Sequence, residues 1–311
     1  MTTARNHHYL PRVYLRGFAA NPTAKRPQTR VFDLNEHRAF TTSIANIAVE
    51  RDFNRIDIEG HKPDSLETGL SQFEGMVGET IRRITLTKAM SEDDRTIVLN
   101  LVALIFHRHP SKRAHLDKVL GEVWKDVARI AVETPERWAA TVKDANTAGG
   151  KPLPAVSYEQ MKAFVEEDDF DVHTNREYHI GLEFEAFDDL LHYFFERTWT
   201  LFRAAESTGG FVTSDNPVSL GWTKRPGGTP QFPPGLAHQE TTLLFPLSRE
   251  FCLLGEYGGS EQALEVDFQG VATLNANIVR RARRQVYAPH DKFLVSSGKG
   301  QLPRFGYQLV T

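Results

Sequence analysis

The chain has 311 residues, 40% apolar and 25% charged, enough for one large core or two small ones without stapling by metal or disulfide. Its net charge of −3 excludes a general nucleic-acid coat, which needs a strong positive excess, and leaves room only for a local basic patch. No apolar signal region follows Met1, and the longest apolar stretch, 97–106, is too short to span a bilayer, so no membrane partner is expected.

Residues 1–60 open with a short helix and continue in strands, at 30–34 and, by alternation, at 52–58. Residues 64–197 read as helical. Leu66, Leu70, Phe73, Val77, Ile81 and Ile84 make one apolar stripe, and Ser91 with Glu92, Asp93 and Asp94 caps the next helix. That helix is expected to stop at His109, since Pro110 disfavours helical geometry before it, and Ser111 to cap another with Leu116, Val119, Leu120, Val123, Trp124 and Val127 inward. Thr134-Pro135 starts a short helix, 148–154 is a loop, Ser157 and Gln160 form a capping box, and a long helix covers 175–197.

Residues 198–311 read as mainly β, with strands at 199–206, 210–214, 241–247 and 251–257, a helix at 268–284 and a long loop at 226–237. Cys252, the only cysteine, falls in an apolar strand and reads as core; it has no partner in the chain, and the expected compartment is the reducing cytoplasm. The first and third zones have too few strands to stand alone. The expectation is a single α+β domain over 1–311: a mainly antiparallel sheet built from N- and C-terminal strands, with a central helical bundle packed on it.

The opening His8-Tyr9-Leu10-Pro11-Arg12-Val13-Tyr14-Leu15-Arg16-Gly17-Phe18-Ala19 resembles the signature His-Tyr-x-Pro-x-x-Tyr-Leu-x-x-Phe of a microbial family catalogued as domain of unknown function 4238. The segments 47–53, Arg108-x-Pro110 and Phe211-Val212-Thr213-Ser214-Asp215-Asn216-Pro217-Val218 resemble that family in the same order, and 245–248 and Asn275 also fit. The chain departs from the pattern at Ile105, where the family has a glutamine, and at Asn54, where it has an aromatic residue. The resemblance implies a fold and the place of a site rather than a reaction.

Candidate chemistry gathers on these motifs. Arg12 and Arg16, one turn apart if Pro11 begins a helix, suit an anion, and His8 just ahead suits acid–base work near neutral pH; otherwise Tyr14, Leu15 and Phe18 are a structural clasp. Asp215, held between Ser214 and Asn216 at a strand end, is either a functional carboxylate or an ordinary Asx-turn. Arg108, in the His- and Arg-rich segment 107–115, is a second anion clamp or a helix-end cation; its spacing to His115 fits, weakly, a class of helical ribonucleases. Tyr9, Tyr14, Glu50, Ser214, Asn216 and Asn275 complete the expected substrate-binding set. Glu67 and Glu74, seven residues apart on one helix flank, could hold a metal if paired with a His, but no Glu-x-x-His exists to join them in a di-iron site, and they read as surface or core-edge acids. Arg280, Arg281, Arg283 and Arg284 read as a solvated face, with a local nucleic-acid or phosphate contact as the alternative.

There is no Gly-x-Gly-x-x-Gly, Walker loop, Gly-x-Ser-x-Gly or His-Glu-x-x-His, which argues against dinucleotide oxidoreductases, P-loop enzymes, α/β-hydrolases and zincins. No cofactor or metal is named by these patterns. The expectation is an enzyme acting on a nucleotide or nucleic-acid phosphodiester, with His8 and Asp215 as acid–base pair and Arg108 as clamp; the alternative is a non-catalytic binding protein in which the same residues form a structural hub.

Overall fold

The computed structural model describes residues 6–58, 60, 62–63, 65–147, 156–223, 232–298 and 302–310. The loop expected at 148–154 and the first part of that at 226–237 lie outside the described residues. The chain divides into two compact units, Met1–His109 with Ile180–Thr311, and Pro110–His179.

In chain order the elements are β1 Asn6–His8, α1 Arg12–Arg16, β2 Gln28–Asp33, β3 Arg38–Ser43, β4 Val49–Arg51, α2 Ser65–Thr87 and α3 Glu92–His107. Next come α4 Pro110–Ala131, α5 Pro135–Thr147, α6 Tyr158–Glu167, α7 Arg176–Glu185 and α8 Phe187–Phe195. The rest is β5 Thr198–Ala204, β6 Thr213–Ser214, β7 Ser219–Trp222, β8 Thr241–Pro246, β9 Phe251–Glu256, β10 Gln262–Val266, α9 Phe268–Arg281, β11 Gln285–Ala288, β12 Leu294–Val295 and β13 Arg304–Phe305. The fold is α+β, and no described helix is long and apolar enough to cross a membrane.

N- and C-terminal strands do pair. In the order β3-β2-β11-β6 they form a four-stranded antiparallel sheet, with Arg30 opposite Ala288 and Asp33 opposite Gln285. A second sheet, β10-β5-β9-β8-β7, comes from the C-terminal third alone and is antiparallel except for β10 beside β5.

Alternation along the strands fixes the layers of the larger unit. Val31, Trp199, Leu201, Leu243, Phe245, Leu253 and Tyr287 join the core that holds residues of α1, α2, α3 and α8. Their neighbours Phe32, Leu244, Cys252 and Val286 point the other way, into a second core with Val271, Ala276 and Ile278 of α9. Cys252 is fully buried there, and burial pushes its thiol pKa far up.

Three expectations along the chain change. The strand expected at 52–58 does not form: β4 ends at Arg51, because Asp52 turns into the left-handed region at φ 57° and aims the following residues elsewhere. The helix before Pro110 ends at His107 rather than His109, and Pro110 itself is the first residue of α4, a position that needs no backbone N–H and suits the fixed φ of proline. The helix expected over 175–197 is two helices, since Ala186 sits at φ −85°, ψ −4° and flattens the turn between them. Ser91 and Ser157 do cap α3 and α6, each in a reciprocal capping box.

The smaller unit contains α4, α5 and α6. The α4 stripe expected to face a core is instead exposed at Val119, Val123, Trp124 and Val127, while Gly121 is the buried contact; a Cβ there would come within 2.9 Å of the Val172 carbonyl oxygen. Asp117 ties α4 to the segment before α7 by accepting from the N–H and hydroxyl of Thr174, at 2.8 and 2.7 Å, and by pairing with His173. These donors hold its carboxyl well below the usual carboxylate range.

In the larger unit, Gly209 and Gly210 follow each other at φ 76° and 81°, and a Cβ at Gly210 would stand 2.5 Å from the Arg249 carbonyl oxygen. Gly210→Ala combines left-handed strain with a backbone clash. It is expected to cost about 3 kcal/mol, read as a lower urea midpoint at unchanged slope.

Candidate functional site

The N-terminal motif enters the fold as a strand. β1 pairs with β4, His7 opposite Glu50, and the Tyr9 N–H continues the ladder to the Ala48 carbonyl at 3.0 Å. The buried His7 ring accepts, at Nδ1, the backbone N–H of Asn54 at 2.8 Å. The half-buried His8 ring sets Nε2 3.3 Å from the Ile44 carbonyl, which fixes the proton on Nε2 and leaves Nδ1 as the basic nitrogen of a neutral ring. Burial lowers the His8 pKa from its ordinary 6.5, and the Arg12 charge lowers it further; the Ile44 carbonyl and Glu67 pull partly back.

Two carboxylates of α2 approach the same place. Glu67 accepts from the Asn54 side-chain amide. Glu74 accepts the Val13 N–H in the first turn of α1, a helix with no side-chain cap of its own. Burial raises the Glu74 pKa above 4.5, and the neighbouring Glu67 charge adds to that, while Val13 and Arg12 oppose it. Arg12 is exposed and close enough to act electrostatically on both His8 and Glu74.

Arg108 follows the end of α3 and is 6% exposed. Its Nε donates to Glu183 Oε2 at 3.3 Å, its Nη2 donates to Asn54 Oδ1, and its guanidinium carbon lies 5.8 Å from the Phe53 ring centre. Asn54 thus joins His7, Glu67 and Arg108 through three of its polar atoms. His7 and Arg108 meet at this hub, whereas His8 is tied to it through the charge of Glu67.

The remaining expected site residues lie elsewhere in the larger unit. Asp215 Oδ1 accepts the Arg283 N–H at 2.8 Å, and Oδ2 accepts those of Arg284 and Gln285 at 2.8 and 3.0 Å. Burial pushes its pKa up against these three donors. Only its backbone carbonyl reaches the His109 ring, at 2.6 Å, and that ring stands edge-on to Tyr9. Tyr9 hydrogen-bonds Tyr287, whose hydroxyl also meets Gln285 Oε1 at 3.0 Å. Tyr14 is fully buried with its hydroxyl 2.6 Å from Thr213 Oγ1. Ser214 Oγ accepts the Asn216 N–H, Asn216 donates to the Arg281 carbonyl, and Arg16 donates to the carbonyls of Pro22 and Ala24, away from Arg12. Asn275 satisfies Val212, Gly210 and Leu294 at once. Glu50 is exposed on β4. The basic run is divided by the end of α9, where Arg284 pairs with Asp33 at 2.7 Å and with Glu36. Arg108 and His115 belong to different units.

A family model described as Protein of unknown function (DUF4238) matches residues 6–292. The chain belongs to this family. No curated protein matches it, and no solved structure does. Every expected site residue lies inside the span matched by DUF4238, and so do Glu67, Glu74 and Glu183.

In the sequence of this DUF4238 chain the two α2 acids read as surface or core-edge groups, and nothing marked Glu183. The seven-residue spacing of Glu67 and Glu74 was visible. What no local pattern carries is that Asn54, from a turn, links one of them to Arg108.

Two cavities adjoin these parts of the larger unit. One of about 180 Å³ is walled by Leu70, Phe73, Leu104, Phe184 and Phe187, with Arg108 and Glu183 also lining it. The other, of about 760 Å³, is an open charged groove along Lys88, Arg203, Gly210, Arg249 and His290, where Lys88 pairs with Glu250 and Arg203 with Glu265. Among the described residues no group of three His, Cys, Asp or Glu side chains is placed to hold a metal.

Proposed function

We propose that this DUF4238 protein is a hydrolytic enzyme acting on a phosphate-bearing substrate, a nucleotide or a nucleic-acid phosphodiester, at the cluster of His8, Arg12, Glu67 and Glu74. One observation supports it above the others: the half-buried His8, its pKa lowered, lies near Glu67, Glu67 in turn acts on the half-buried Glu74, whose pKa is raised, and the exposed Arg12 acts on both His8 and Glu74. Opposed pKa shifts on neighbouring groups are what an acid–base pair requires.

In this reading Arg12 holds the phosphate. His8 Nδ1 takes a proton from water as its oxygen bonds to phosphorus, and Glu74 gives a proton to the leaving oxygen as the P–O bond breaks. Arg108 acts through Asn54 to hold Glu67, whose charge adds to burial in raising the Glu74 pKa. The acid role expected of Asp215 passes to Glu74, because the Asp215 oxygens already accept three backbone N–H groups.

The pH dependence follows in sign. His8 must be neutral, so activity rises with pH through a value below 6.5; Glu74 must be protonated, so activity falls through a value above 4.5. A bell-shaped profile with those two limbs is expected in a phosphate-release assay over nucleotides and short oligonucleotides. His8→Gln and Glu74→Gln each keep the local hydrogen bond and should lower kcat by about 100-fold or more with little change in Tm. A flat pH profile, or full activity in either variant, would sink the reading.

A second reading has its own support. Asp215, Asn275, Arg16 and Tyr14 are engaged within the fold, as a structural hub in a binding protein would have them. Phosphate compounds that raise Tm without turnover by the wild type favour it.

A further inference from the structure

We infer that two copies of this chain pair through the exposed apolar face of α4, the two helices lying antiparallel about a two-fold axis near Val123.

Spacing comes first. Leu116, Leu120, Val123, Val127 and Ile130 follow one another by 4, 3, 4 and 3 residues, the repeat of a helix that packs along its length on another helix. Val119 and Trp124 flank that seam. Leu116 and Leu120 are half-buried, whereas Val119, Val123, Trp124, Val127 and Ile130 are 45–58% exposed. The opposite side of α4 is engaged within its own unit: Gly121 lies against the Val172 carbonyl, Asp117 holds Thr174, and Lys125 pairs with Asp168 at 3.2 Å.

Burial comes second. Among the described residues of the smaller unit, Val132 and Val165 are the only buried apolar side chains. So small a core holds a helical unit weakly, and association is one way such units gain the burial they lack. The five exposed side chains present roughly 500 Å² of apolar surface, at the upper end of what a monomer leaves uncovered. Face to face, two copies cover about 1,000 Å² before flanking contacts are counted, the size at which specific interfaces begin.

A second copy is the occupant because the seam matches itself. It is aliphatic from Leu116 to Ile130, so turning it end for end sets apolar layers against apolar layers throughout. Charge sets the direction. The first turn of α4 carries Lys112 and Arg113 and no acid, while Glu122, Asp126 and Glu133 stand against Arg129 toward the other end. That order opposes the dipole of the helix itself. An antiparallel copy brings the acidic end of one helix to the basic end of the other, and a parallel copy would set like against like.

The test is mass by light scattering on the full chain. Wild type at about 100 μM should run at twice the 35.2 kDa of one chain. Val123→Lys and Val127→Lys change exposed positions, so each should keep the far-UV spectrum and weaken pairing by about 10-fold or more. Direction is read by a short bis-maleimide. Cys252 is buried, so a cysteine placed on α4 is the thiol that reacts. Val123→Cys should cross-link into dimers and Ile130→Cys should not, because an antiparallel pair holds the two copies of residue 130 ~20 Å apart. A monomeric wild type overturns the inference, including one that binds lipid vesicles through this face instead. So does a dimer that survives both lysine variants, or one that cross-links through Ile130→Cys.

Discussion

Asp215→Ala is expected to cost about 3–5 kcal/mol, because it removes the shared acceptor of three backbone N–H groups at once. Each donor left without a partner away from water costs roughly 1–3 kcal/mol, and relaxation toward solvent recovers part of the total. Those donors lie just before and at the start of β11, the strand that pairs with both β2 and β6, so the loss loosens the junction of the four-stranded sheet. Asp215→Asn keeps one carbonyl oxygen but turns an amide N–H₂ toward the donors, so it should fall between wild type and alanine. Thermal melts read the effect as a drop of roughly 10 °C. An unchanged Tm with lost activity would return Asp215 to a catalytic role.

Arg108→Ala should be comparably severe, about 3–5 kcal/mol, since it strips the guanidinium that neutralises the buried Glu183 carboxylate and takes a donor from Asn54. Arg108→Lys keeps the charge without the fork and cannot serve Glu183 and Asn54 together, so it too should lower the denaturation midpoint. The combined Arg108→Met, Glu183→Leu variant is the informative one. Removing both charges avoids a lone buried ion, and the pair should cost at least 1 kcal/mol less than the sum of the single changes. Strict additivity by chemical denaturation would mean that the two side chains do not act on each other.

Much of the architecture was legible because it is written locally. Ser91 and Ser157 announce helix starts by caps, the α2 stripe has one period, and the apolar strands at 241–246 and 251–256 could hardly be anything else. β7 and β10 were not legible: one is four residues long, the other is Gln-Ala-Leu-Glu-Val on an edge, and both exist by pairing rather than by pattern. The α4 stripe misled, since periodicity reports an apolar face but not whether anything covers it. At the site, His8, Arg12 and Arg108 were visible as residue types in unusual company. The engagement of Asp215 was not, because its partners stand about 70 residues later in the chain.

The pairing of β2 with β11 has a further consequence, for the order in which the chain acquires its structure. Residues 28–33 find their second partner only at 285–288, so during synthesis β2 and β3 can form a hairpin but lack their central neighbour until residues 285–288 have emerged. Closing a loop of that length is slow relative to the local helices, and until it closes the apolar pair Val31 and Phe32 presents an unpaired edge to any other strand in reach. Refolding from denaturant should therefore show early helical signal and late burial of the β2–β11 ladder, and its yield should fall as protein concentration rises.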